Sequence, residues 1–214
     1  SFLRAGVVPY LEEECVGYQV FRNRSVTRPD APEGEQPLLF IRATNDPAGQ
    51  LAQAIYDCCS APYRYKRPTG QPIEVDLSGL LAEHLTGSAE PDALRSALCN
   101  DPTLLGRMLA DLGDHLPFRL VLVIDQCEEL FTLARTPQDA ANRNVTLEML
   151  REVINTPGDF KVIVSLRTEY HGRLIDRLRR GTRDLRGVRE YLLTDFSEAS
   201  LVEVIGRPTI EHEI

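Results

Sequence analysis

Apolar positions along the chain fall into two kinds of run: short blocks apolar on both faces, which read as buried strands, and stretches with a 3.6-residue period, which read as helices. The amino end through Val7 to Glu14 is amphipathic and predicts a helix, and the alternating Tyr18-Gln19-Val20-Phe21 predicts a short strand. Residues 27–37 carry three prolines and read as loop. Leu38 to Ile41 is an apolar run of the buried-strand kind. Asn45-Asp46-Pro47 then opens a helix to about Cys59, with Asp46 at the N-cap and Pro47 in the first turn. Residues 60–74, with Pro62, Pro68, Gly70 and Pro72, predict a loop, and helical periodicity returns at 76–86, 91–99 and 102–115.

Phe118 to Ile124 has six apolar residues in seven and stops at Asp125, the pattern of a central parallel strand. A helix over 138–155 leads to a second such strand, Phe160 to Leu166, ended by Arg167. Helix 169–180, strand 188–194 and helix 197–205 complete the series. Strands alternating with helical crossovers predict a three-layer α/β/α fold with a mostly parallel sheet. Internal repeats and low-complexity segments are missing.

At 214 residues the chain is one large domain or a domain with a small appendage. Apolar residues make up 43% and charged residues 26%, and no apolar run approaches the ~18–20 residues that span a bilayer, so no membrane partner is expected. The balance of 24 basic and 32 acidic residues gives a formal −8, a field that repels nucleic acid and anionic lipid. Any anionic ligand therefore needs a local site. Cys15, Cys58, Cys59, Cys99 and Cys127 show no C-x-x-C and no histidine partner at metal-ligand spacing, so reduced thiols and a cytoplasmic location are expected. The start Ser1-Phe2-Leu3-Arg4-Ala5-Gly6 has neither an initiator Met nor a secretory signal, which reads as a piece of a longer chain.

Candidate chemistry concentrates in Leu120 to Phe131. Ligands of open parallel sheets sit outside the carboxyl ends of the strands, so Asp125, where a buried strand stops, is placed to hold a hydrated cation. Asp125, Glu128 and Glu129 can divide phosphoryl chemistry between organising Mg²⁺ and polarising a water. The spacing equally suits Asp125 as a helix cap with the glutamates complementing the dipole. Cys127 sits beside carboxylates that would blunt a thiolate and is not a candidate nucleophile. At the end of the next strand, Arg167 and Ser165 could reach a terminal phosphate, or Arg167 could form a rim ion pair, for instance with Glu169. The arginines at 173, 177, 179, 180, 183, 186 and 189 have one nearby aromatic, Tyr191, and read as a solvated face or an intersubunit patch rather than a nucleic-acid surface. His84, His115, His171 and His212 lack ligand spacing and read as surface or capping groups.

Four segments in order, Ser-Phe-Leu-Arg-Ala-Gly at 1–6, V-L-V-I-D-Q-C-E-E-L-F at 121–131, V-I-V-S-L-R at 162–167 and L-L-T-D-F-S-E-A-S-L at 192–201, resemble the STAND NTPases. These are signalling P-loop ATPases that include NACHT proteins and apoptotic ATPases, and the bacterial branch with a D-Q-x-E-E-L-F motif is most similar. The resemblance covers about residues 1–16 and 118–208. It implies a P-loop NTPase core over 1–208, seen without the phosphate-binding loop G-x-x-x-x-G-K-S that the family carries just upstream of such a start. It further implies that 209–214 begin a helical or winged-helix region, with Gly206-Arg207-Pro208 as the exit.

Residue by residue, the resemblance makes Asp125 the Walker B aspartate that holds the metal, Glu128 the water-activating acid and Glu129 its support. Ser165 and Arg167 correspond to the sensor on the neighbouring strand, and Ser1 to the metal-ligating hydroxyl or its successor. Gln126 stands where many related ATPases place a catalytic glutamate, a departure that points to slow, switch-type hydrolysis. The implied ligands are ATP or ADP with Mg²⁺. The implied behaviour is oligomerisation when other domains sense a ligand, and this stretch alone is expected to be inactive. A non-hydrolysing interaction module is the alternative.

Overall fold

The computed structural model describes Leu3, Val7, residues 18–20, 39–60, 62–66, 72–85, 90–116, 119–180, 185 and 187–193. Its sheet is built on β5 (Arg119–Asp125), whose side chains are buried from Leu120 to Asp125. One edge of β5 is taken end to end by two short parallel strands, β1 (Tyr18–Val20) opposite Arg119 to Val121 and β2 (Phe40–Arg42) opposite Val123 to Asp125. β6 (Phe160–Val164) runs parallel along the other edge, from Leu120↔Phe160 to Ile124↔Val164. The strand apolar on both faces is thus central, because a strand with both edges paired exposes no backbone to water.

Alternation along these strands splits the core in two. Leu39, Ile41, Leu120, Leu122, Ile124 and Phe160 face the large cluster, together with helices α1 (Pro47–Cys59), α2 (Ser78–His84), α3 (Pro91–Asn100), α4 (Leu104–His115), α6 (Pro137–Asn155) and α7 (Thr168–Arg179). Val121 and Val123 face the other way, where Leu3 packs on them with Val7, Phe40 and Ile163. Apolar cover on both faces of a parallel sheet is the α/β layering that the sequence predicts.

Local signals set the helix starts. Asp46 accepts a hydrogen bond from the Gly49 N–H at 3.2 Å, with Pro47 in the first turn of α1. Thr136 and Asp139 form a reciprocal capping box at the start of α6, again with a proline following the cap. In α4, Gly106 and Gly113 lie two turns apart. A Cβ on the first would meet Thr156 Oγ1 at 2.2 Å and one on the second the Asp159 carbonyl at 3.0 Å. Their missing side chains let α4 lie against the turn that delivers β6 to the sheet.

Three expectations need correction or restriction. Within 60–74 the structure has an antiparallel hairpin, β3 (Tyr63–Lys66) with β4 (Pro72–Val75), in register Tyr63↔Val75. Pro62 precedes it and Pro72 begins the second strand, positions where a proline costs no ladder bond. Residues 188–193 are not a strand, and Tyr191, Leu192 and Leu193 are 87, 74 and 69% exposed. Helix 197–205, Thr194 and the boundary at 208–209 lie outside the described residues, as does Ser1.

Leu109 of α4 is wholly buried in the large cluster. Leu109→Ala is expected to lower unfolding free energy by about 2–5 kcal/mol, whereas Leu192→Ala should stay within about 0.5 kcal/mol of wild type. Urea denaturation reads both, and a large loss at Leu192 would mean that the segment is packed rather than exposed.

Candidate functional site

The carboxyl ends of β2, β5 and β6 carry Arg42, Asp125 and, three residues past β6, Arg167. The loop after β6 is sewn to the end of β5, with the Ser165 N–H donating to the Ile124 carbonyl at 3.0 Å and the Cys127 N–H to the Ser165 carbonyl at 2.8 Å. Asp125 is buried, and its Oδ1 accepts from the Ser165 hydroxyl and, at 3.1 Å, from the Gln126 N–H. The same N–H also reaches Ser165 Oγ at 3.1 Å. A buried carboxylate must be hydrogen-bonded to be tolerated. Here all of these bonds fall on Oδ1, leaving Oδ2 outside them.

Gln126 turns the chain in the left-handed region, at φ 55°, the one non-glycine to do so among the described residues. Such a backbone costs about 1–3 kcal/mol and collects at functional sites. The turn leads into the one-turn helix α5 (Glu129–Thr132), with Glu128 and Glu129 at its start. Asp125 does not cap that helix with its side chain, while Glu129 stands in its first turn, where an acid complements the dipole.

The two glutamates differ in tethering. Glu129 Oε1 accepts from Arg42 Nε at 3.0 Å and also from Arg42 Nη2. Glu128, with its side chain 12% exposed, has Oε1 at a loose 3.4 Å from Arg167 Nε, and its Oε2 is buried with no partner. Gln126 Oε1 is likewise buried and unpaired. The Arg167 partner is thus Glu128, not Glu169, and its guanidinium is 73% exposed. Behind them Phe131 stacks on Tyr170 at 6.1 Å between ring centroids, with Arg173 over the Tyr170 ring at 5.5 Å, so the elements carrying Glu128 and Arg167 are braced together.

Ser165, Asp125 and Gln126 are thus joined by hydrogen bonds, Arg167 meets Glu128 in a loose contact, and Glu129 pairs with Arg42. Arg42 was missed. It could have been found by the rule that singled out Asp125, a charged residue where an apolar strand run stops.

No group of three or more histidine, cysteine, aspartate or glutamate side chains among the described residues is set to enclose a metal ion. That fits Mg²⁺, which keeps waters and takes one or two carboxylates plus ligand phosphates rather than a protein cage. The side-chain oxygens of this turn that are buried without a partner are Gln126 Oε1 and Glu128 Oε2. The cavity beside the site, lined by Thr44, Asn45, Glu129, Leu133 and Arg143, holds about 10 Å³. A larger space of about 190 Å³ lies away from it, between α6 and α7. The described side chains around the end of β5 are thus mostly polar or charged, at the rim of the sheet.

The family model "Novel STAND NTPase 1" matches residues 1–214, and the chain belongs to that family. No curated protein and no solved structure matches it. Among the described residues no helix is long and apolar enough to cross a membrane.

Cys127, inside the acidic turn, is buried, and burial pushes its thiol from 9.0 up to about 12, the Glu128 charge adding to the effect. Cys59 is raised to about 12 by burial alone. Folding thus favours the protonated thiols, a stabilisation complete below pH 9.0 and lost as pH rises through about 12. Iodoacetamide at pH 8 is expected to spare both thiols in the native protein and label them in denaturant, read by mass spectrometry; native labelling of Cys127 would contradict its burial.

Proposed function

We propose that this chain is the nucleotide-switch core of a multidomain STAND protein, binding ATP or ADP with Mg²⁺ and hydrolysing ATP slowly. The observation that supports it most is a buried Asp125, oriented by the Ser165 hydroxyl where the central strand stops, followed three residues on by Glu128, whose Oε2 is buried and unpaired. Buried acceptors without donors await a water or a cation.

In this reading Asp125 would hold the metal, the Ser165 hydroxyl fixing Oδ1 and so orienting the carboxylate. Bound Mg²⁺ supplies charge neutralisation on the terminal phosphates. Glu128 orients the attacking water with its free oxygen and takes its proton. Gln126, lacking a basic oxygen, leaves that work to Glu128 and keeps turnover slow. Arg167, exposed on a braced helix start, is free to leave Glu128 and meet the γ-phosphate. Ser1 would contribute a metal-ligating hydroxyl or stand next to one.

The switch itself is a population shift, since Arg167 contributes only when the γ-phosphate is there. Residues 1–208 form the core and 209–214 begin the next region. Ligand sensing and oligomerisation then belong to the whole protein, and the exposed arginines Arg179, Arg180 and Arg189 offer an intersubunit surface. A non-hydrolysing interaction module is the second reading, favoured by the ion pair that already ties up Glu129.

In the full-length protein, Asp125→Asn is expected to weaken Mg²⁺-dependent ATP binding, and Glu128→Gln to preserve binding while slowing turnover by roughly 10²–10⁴-fold. Titration calorimetry and phosphate release measure these; binding without turnover in wild type would favour the interaction module. Arg167→Ala should lower ATP affinity more than ADP affinity, because its exposed pair with Glu128 is worth only ~0–1 kcal/mol to stability. An unchanged ATP/ADP ratio would confine Arg167 to the rim.

A further inference from the structure

We propose that Arg42 is a positioning residue of this site, tethering Glu129 so that Glu128 alone orients the attacking water; the proposal rests on the nucleotide reading and deepens it. Arg42 ends β2 in register with Asp125, and its backbone is fixed independently of its side chain. Its N–H donates to Gln50 Oε1 at 3.1 Å, Gln50 Nε2 donates to Thr44 Oγ1 at 2.6 Å, and the Ala43 N–H donates to the Asp125 carbonyl at 3.0 Å. The guanidinium therefore springs from a rigid strand end beside the metal-binding carboxylate. It places Nε and Nη2 on one oxygen of Glu129.

Glu129 is held from its backbone as well, its N–H donating to the Gln126 carbonyl at 2.9 Å and its carbonyl accepting from the Leu133 N–H at 2.9 Å. Adjacent carboxylates thus have opposite freedom. To swing toward a substrate, Glu129 must break a charge-assisted pair, whereas Glu128 gives up a 3.4 Å contact and keeps Oε2 unengaged. The tether also neutralises one of two like charges beside Asp125, so that a single carboxylate faces the water. A lysine at 42 would keep the charge but lose the planar fork that grips from two nitrogens.

The test is steady-state Mg²⁺-ATP hydrolysis and thermal melting by full-length wild type, Arg42→Ala, Arg42→Lys, Glu129→Gln and the Arg42→Ala/Glu129→Gln double variant. Arg42→Ala is expected to lower kcat by about 10- to 100-fold, the scale for losing a group that orients a site ligand, with KM and Tm near wild type. Arg42→Lys should recover part of kcat, and the double variant should be no slower than Glu129→Gln. Additive losses in the double variant, a KM effect without a kcat effect, or a Tm drop that accounts for the lost activity would each overturn the role of Arg42. Wild type without Mg²⁺-dependent hydrolysis would instead overturn the nucleotide reading, and this proposal with it.

Discussion

A strand paired along both edges and buried on both faces can carry chemistry only where it stops. β5 is that strand, and its edges decide what gathers around its last residue: β2 brings Arg42 level with Asp125 on one side, and β6 brings Ser165 and Arg167 past it on the other. The helices that cover the sheet matter to the site chiefly through this registration. Gly106 and Gly113 let α4 approach the turn before β6, and the capped starts of α1 and α6 hold the segments on either side.

The end of β5 is also where the chain is least comfortable. A buried carboxylate, a left-handed glutamine and two unpaired buried acceptors follow one another within four residues. Each is a departure from what a stable loop requires, and together they leave a surface rich in acceptors and poor in donors. The flanking arginines partly offset this, one firmly and one loosely. In a chain with a formal charge of −8, these guanidiniums are the positive charge nearest the end of β5.

Much of this was legible in the sequence. Asp46-Pro47 announced α1, and the run apolar on both faces that stops at Asp125 placed β5 and its acid, because caps and buried runs are written in consecutive residues. Asp125, Glu128, Ser165 and Arg167 could be nominated from strand ends alone. What the sequence did not show was pairing. Arg42 meets Glu129 across 87 positions, a relation set by strand register. The hairpin at 63–75 was hidden by its prolines, which mark loops in general but sit harmlessly at strand starts. Residues 188–194 read as a strand, yet 188–193 form none and Tyr191 to Leu193 are exposed, since apolar composition gives a preference for burial without naming the neighbour that provides it.

β6 has one strand partner among the described residues, and its Val162, Ile163 and Val164 are half-buried where the matching residues of β5 are wholly covered. A parallel strand with a free ladder of amides and apolar flanks is a template for adding another strand. With Tyr191 to Leu193 also bared to water, the colloidal behaviour of these 214 residues on their own is governed less by folding stability than by how long mutual repulsion at −8 keeps two sheet margins apart. Salt, by shortening that repulsion, should matter more to their solubility than temperature.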